Sequence, residues 1–254
     1  MFFSRFIYLI ASLTLTANFA LGDSFDHSHS ALTPLLESYV DENGLVDYAS
    51  LKKNSKPLKL YLRSLHSISK DTFESWGEQK QIAFLINLYN AETLELIIDN
   101  YPVGGIKEVG GWFRSPWKLD EVILFGEKTT LDTIEHEILR KNYEEPGIHF
   151  ALVCAAKSCP PLRREAYSGT HLNEQLSNQA QIFLSTPTKN HLDQKSNTLY
   201  LSKIFSWFEK DFLVNSSSIS DFLTPYFPSD EREFIKKNKP RVRYTAYDWS
   251  LNSQ

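Results

Sequence analysis

Glu78-Gln-Lys-Gln-Ile82-Ala-Phe-Leu-Ile-Asn87-Leu-Tyr-Asn90-Ala-Glu-Thr-Leu-Glu-Leu-Ile-Ile-Asp-Asn100 is the longest helical stretch of the chain, and Tyr101-Pro102 ends it. Ile82, Phe84, Leu85, Ile86, Leu88 and Tyr89 point in nearly every direction, which predicts a helix buried on most sides. Glu92, Glu95 and Asp99 then restore one wet face. Asn87 and Asn90 are three apart and project from the same side, within the apolar stretch. A buried amide without partners costs about 1–3 kcal/mol, so both must be hydrogen-bonded. They either clamp neighbouring backbone or line a site.

Upstream, residues 31–40 and 56–67 carry helical spacing, with turn chemistry at 41–44 and a short strand expected over 45–48. Residues 23–30 are polar, and His27 and His29 fall in what reads as a loose start. Downstream, 103–118 is a glycine- and tryptophan-rich loop. Its Trp112, Phe113 and Trp117 either wall a ligand cleft or pack beneath the loop. Its glycines lack the order of a nucleotide-binding loop. A strand is expected over 119–125, then an amphipathic helix from Thr129 to Lys141 with Leu131, Ile134 and Ile138 as its core stripe. Glu135 sits at the edge of that stripe, either as an ion-pair partner or as a site residue. His136 and Arg140 form an i,i+4 pair.

The chain has two cysteines, both in His149-Phe-Ala-Leu-Val-Cys154-Ala-Ala-Lys-Ser-Cys159-Pro-Pro. Residues 149–153 read as a strand. Alternation then places Cys154 on the face of Phe150 and Leu152, opposite His149. A Cys–His pair needs imidazole within hydrogen-bond reach of sulfur. His149 meets that need only across a bulge, and His136 is the next candidate base. Lys157, Arg163 and Arg164 make the segment cationic, which favours thiolate. The spacing suits a disulfide as well as one reactive thiol or two inert buried cysteines. It is neither the C-x-x-C redox motif nor a full zinc ligand set.

Met1 to Gly22 reads as a secretory leader: Arg5, an apolar run from Phe6 to Leu15, and small residues before Asp23. Its apolar run is short for a membrane span, so no stable span is expected after cleavage, and the localisation implied is periplasmic or secreted. Removing 22 of 254 residues leaves 232, with 26 basic against 31 acidic residues and a net charge near −5. Such a surface disfavours nucleic acid and anionic membrane as partners. No linker divides residues 23–254, so one α+β domain is expected. Towards the C-terminus, 170–185 has helical spacing, and 241–249 alternates as a closing strand with Val242, Tyr244 and Ala246 inward. Asp248 and Asn252 either anchor the terminus or reach the site.

The blocks Ala83–Ala91, Leu131–Arg140, His149–Leu162 and Tyr247–Asn252 resemble those of the domain of unknown function 547 family, over about residues 78–252. The resemblance implies a papain-like cysteine-hydrolase architecture, with a mostly buried helix packed on an antiparallel sheet. It also implies a glutathione-type thiol ligand. Carried over by position, its site residues are Asn87, Asn90, Glu135, His136, His149, Cys154 and Cys159. Papain-like enzymes place the cysteine on a helix before the histidine, whereas here the cysteines come late. Two readings follow. One is an exported Cys–His hydrolase or transferase acting on small peptides or amides: Cys154 or Cys159 as nucleophile, His149 or His136 as base, Glu135 orienting. Asn87, Asn90, Trp112, Lys157 and Arg163 would bind the ligand. The other is a non-catalytic module that binds a thiol or glutathione-type ligand, or a redox module, with a Cys154–Cys159 disulfide. Neither requires a cofactor, and neither fixes an oligomeric state.

Overall fold

In the computed structural model, which describes residues 25–111 and 114–254, Glu78–Asn100 forms one continuous helix. It is preceded by α1 (Thr33–Tyr39), α2 (Tyr48–Lys53), α3 (Lys56–His66) and α4 (Lys70–Glu74), and is itself α5. Proline in the first turns of α1 and α3 sits where a missing N–H costs nothing. Asp47 and Ser69 cap α2 and α4 by accepting the Ser50 and Thr72 N–H groups. From Ile82 to Ile98 every residue of α5 except Glu95 is buried. Glu92 is not on a wet face as its charge suggested. It is buried and its Oε1 lies 2.6 Å from His66 Nε2 on α3.

The partners of α5 are helical. It packs on α2, α3 and a helical turn at Thr133–Leu139, which corrects the expected packing on an antiparallel sheet. The strands among the described residues form two small sheets. β1 (Val122–Leu124) and β2 (Glu127–Thr129) make an antiparallel hairpin. β3 (His191–Asp193) pairs antiparallel with β4 (Thr198–Leu201), which pairs in parallel with β5 (Arg241–Tyr244). Helix and strand together in one domain are the α+β class expected.

Thr133–Leu139 is a π-helical turn continued by α6 (Arg140–Asn142). The Arg140 N–H bonds the Glu135 carbonyl, one residue further back than in an α-helix. Ile148–Ala151, expected as strand, is the single helical turn α7. Next come α8 (Leu172–Leu184), α9 (Ile204–Trp207), α10 (Glu209–Phe212), α11 (Ile219–Leu223) and α12 (Ser229–Asn238). β5 is shorter than its alternating pattern, with Tyr244 and Ala246 exposed. Residues 25–30 are not loose: Asp26 gathers Ser28 and Ser30, and the buried His29 ring lies 2.7 Å from the Tyr61 hydroxyl. Among the described residues no helix is long and apolar enough to cross a membrane. The expected leader, residues 1–22, lies outside them.

Among the described residues two apolar clusters form the interior. One surrounds α5; the other gathers Phe150, Phe183, Phe205, Phe212 and Leu223. The chain from Ile148 to Cys159 runs along their seam, with Phe150 in the second cluster and Ala151 to Val153 in the first. Tyr247 packs against both. The C-terminal segment then ties the cysteine turn down. Lys157 N–H bonds the Ser250 carbonyl at 2.8 Å, Asn252 N–H bonds the Ala155 carbonyl at 3.0 Å, and the Ser158 hydroxyl accepts from Asp248 N–H at 2.8 Å. Asp248 and Asn252 are anchors.

Candidate functional site

The turn after Val153 closes as a disulfide between Cys154 and Cys159, whose Cα atoms are 6.2 Å apart. Inside it Ala155 takes a left-handed conformation, φ 57°. That conformation is strained for a residue with a Cβ, and the Asn252 bond to its carbonyl holds it. The two sulfurs differ. Cys159 is 2% exposed, whereas Cys154 is half-buried. Cys159 Sγ accepts hydrogen bonds from the Cys154 N–H at 3.1 Å and the Tyr247 hydroxyl at 3.2 Å. Burial, and after it Glu135, pushes the Tyr247 phenol far above its usual pKa, so the hydroxyl stays a donor.

The disulfide forms one wall of a cleft of about 210 Å³ at the seam of the two clusters. Trp117, Trp207, Phe208, Tyr247 and Trp249 supply its aromatic walls, and Asp132, Glu135, His136 and His149 its polar ones. His149 stacks on Phe208 with ring centroids 4.0 Å apart, and its Nε2 lies 2.7 Å from Asp211 Oδ2. Arg140 grips the same carboxylate with two bonds, Nε–Oδ2 at 2.6 Å and Nη2–Oδ1 at 3.0 Å. Burial alone would raise the Asp211 pKa. The hydrogen bonds from His149 and Arg140 outweigh it and hold the carboxyl well below the usual range. Burial pushes His149 the other way from a cation, lowering its pKa despite Asp211. These directions agree because Arg140 supplies the positive charge. A carboxylate only accepts, so His149 carries its proton on Nε2 and keeps Nδ1 as the basic nitrogen.

Glu135 Oε2 accepts from the Tyr89 hydroxyl at 3.1 Å. Burial, then Glu135, drives the Tyr89 pKa well above the phenol range. His136 Nδ1 lies 3.0 Å from Arg140 Nη1. Because guanidinium only donates, His136 Nδ1 accepts there and is occupied. Among the described residues no three His, Cys, Asp or Glu side chains group as a metal site requires.

The sequence candidates separate cleanly. Glu135, His136, His149, Cys154 and Cys159 line one cleft, joined by Trp117. Asn87 and Asn90 do not line it; both clamp backbone. Asn87 bonds the Tyr167 carbonyl and N–H at 2.7 and 3.0 Å. Asn90 bonds the Ala151 carbonyl and Val153 N–H, both at 2.9 Å. Lys157 is exposed on the turn, and Arg163 is engaged by Glu165 and Asn178, so neither supplies charge to the cleft. The cation beside Cys159 is Lys189, half-buried and donating to the Cys159 carbonyl at 2.5 Å. Burial pushes its pKa down to about 8. Trp112 lies outside the described residues. Asp211, Tyr89 and Trp207 were missed. The contacts they make span 46 to 71 positions for Tyr89 and Asp211, and no local spacing announces them.

Residues 73–184 match the model of a family described as "Protein of unknown function, DUF547". This stretch is a DUF547 domain. No curated protein and no solved structure matches the chain. The DUF547 segment holds both asparagine clamps, the Glu135–His136 turn, His149 and the disulfide. Asp211 and the aromatic wall from Trp207 to Trp249 come from the chain beyond it.

Proposed function

We propose that the chain is an exported thiol–disulfide exchange module, whose cleft receives a small thiol or thiol peptide. The observation that carries this reading is the asymmetry of the disulfide. Cys154 is the more exposed cysteine, while Cys159 Sγ is met by the Cys154 N–H at 3.1 Å and by the Tyr247 hydroxyl at 3.2 Å, nearer than the 3.5 Å between that hydroxyl and Cys154 Sγ. An attacking thiolate forms a bond to Cys154 Sγ, the Cys154–Cys159 bond breaks, and the electron pair leaves on Cys159 Sγ. There the Cys154 N–H and Tyr247 O–H stabilise the thiolate. A second thiol attacks the ligand sulfur of the mixed disulfide, releasing an oxidised thiol pair and the Cys154 thiolate. Two thiols are oxidised and one protein disulfide is reduced. Neutral His149 takes the proton of the incoming thiol on Nδ1, and Asp211 orients the ring and stabilises the resulting cation.

A Cys–His hydrolase of papain-like architecture draws on one observation, the His149–Asp211 pair, and requires the disulfide to be opened first. Trapping separates the two. Challenged with a small-molecule disulfide, Cys159→Ser should accumulate a mixed disulfide at Cys154 with release of one small thiol, seen by mass spectrometry, while Cys154→Ser accumulates little at the buried Cys159. Equal trapping in both variants, or a wild-type disulfide that resists thiols until the protein unfolds, rules out the exchange reading. Amide hydrolysis by reduced wild type, lost in Cys154→Ser, would favour the hydrolase.

A further inference from the structure

We propose that the thiol this cleft selects is a small aminothiol, carrying an ammonium within a few bonds of its sulfur. The inference rests on the exchange reading and adds the substrate class. Three carboxylates stand in or beside the cleft: Asp132, Glu135 and Asp211. Arg140, the guanidinium among them, is spent, with Nε and Nη2 on Asp211 and Nη1 on His136. Asp132 pairs with Lys118 at 3.9 Å and lies 3.8 Å from His136 Nε2. Glu135 is met by the Tyr89 hydroxyl, an uncharged donor. Asp211 and Asp132 thus have cationic partners, and Glu135 is the carboxylate of the three whose negative charge an approaching thiolate meets. An ammonium on the same small molecule cancels that repulsion and pairs with Glu135.

The aromatic wall points the same way. An ammonium over an indole face is attracted by the ring quadrupole. Trp249 already takes one from within the protein, with Lys107 Nζ 3.6 Å from its centroid. Trp117 and Trp207, beside it in the wall, offer further indole surface. Size narrows the class. A cleft of about 210 Å³ is below the roughly 300–1,000 Å³ of pockets that enclose drug-sized ligands. It suits a molecule of a few heavy atoms better than a tripeptide bearing two carboxylates.

Three thiols of matched size make the test: cysteamine (cationic), 2-mercaptoethanol (neutral) and 3-mercaptopropionate (anionic). Opening of the Cys154–Cys159 bond in the oxidised full-length protein is followed by alkylation and mass. Each rate is divided by that of the same thiol with hydroxyethyl disulfide, which removes intrinsic reactivity. A unit charge a few Å from Glu135 gives an expected normalised preference for cysteamine over 3-mercaptopropionate of about tenfold or more. Glu135→Gln should bring that ratio towards parity. Wild type alone provides a second reading, because raising ionic strength from about 0.01 to about 1 M shortens the screening length from about 30 to about 3 Å and should shrink the preference. If all three thiols open the bond at parity, or the anion leads, the aminothiol assignment is overturned while the exchange reading stands. If no thiol opens it, the exchange reading itself falls.

Discussion

Replacing Asn90 by alanine removes both bonds of a clamp that holds Ala151 to Val153, between His149 and Cys154. The carboxamide lies between the Ala151 carbonyl and the Val153 N–H, each 2.9 Å away, and Asn90 is 6% exposed. Truncation leaves one buried acceptor and one buried donor, each costing about 1–3 kcal/mol if unmet. A water entering the vacated space recovers part of that, so the expected loss is about 2–4 kcal/mol. At 2–4 °C per kcal/mol for a chain of this size, melting should fall by roughly 4–16 °C. Urea unfolding under non-reducing conditions measures it, with an unchanged slope showing that native compactness is kept. Asn90→Asp sharpens the test. One oxygen still accepts from Val153, but the other now faces the Ala151 carbonyl, which repels it unless the carboxyl is protonated. Its folded-state pKa is therefore raised, so the folded state binds the extra proton and the variant loses stability as pH rises through that pKa. A cost below about 0.5 kcal/mol for Asn90→Ala, or an Asn90→Asp variant indifferent to pH, would show that the clamp does not hold this segment.

Two further outcomes follow from the buried titrating groups. Asp211→Asn should cost about 1–3 kcal/mol, because Arg140 and His149 lose a shared anionic acceptor, and should slow thiol exchange about tenfold or more as His149 loses its orienting charge. In wild type the Asp211 contribution is present above the ordinary carboxylate pKa and lost as pH falls through its lowered one, so the variant should show a flatter acid limb. A variant that matches wild type in exchange rate removes His149–Asp211 from the mechanism. For His29, burial lowers the pKa from 6.5 to about 4. The unfolded chain binds the proton first, so stability is full above pH 6.5 and falls as pH drops towards 4, by up to about 3 kcal/mol. His29→Gln should flatten that slope; identical slopes would mean that His29 does not carry it.

Much of this was legible in the sequence, and the failures have physical causes. A 23-residue stretch free of glycine and proline, with an apolar middle, has no strand interpretation, so α5 could be read directly. A short apolar run cannot be told from a buried helical turn by its pattern. Residues 149–153 were misread for that reason, and strand parity wrongly set His149 apart from Cys154, although both face one cleft. Lys157 and Arg163 are near the cysteines in sequence but aim elsewhere, while Lys189, 30 positions away, donates to Cys159. Tyr247 meets Cys159 across 88 positions. The disulfide was one of several open readings, and only the fold set it in a cleft.

The wide turn at Thr133–Leu139 explains how one short element supplies so much of that cleft. In a regular helix neighbouring side chains diverge by about 100°, so Glu135 and His136 would not readily line the same wall. A π turn spreads more residues over each revolution and narrows that divergence. Asp132, Glu135 and His136 consequently all reach the cleft. Arg140 follows at the end of the turn, where its guanidinium reaches His136 and Asp211 together. The turn also packs against α5, where Tyr89 meets Glu135. The same helix that buries itself on nearly every side thus fixes the acidic wall through Tyr89 and the cysteine segment through Asn90. Loosening either contact should disturb the site without touching a sulfur.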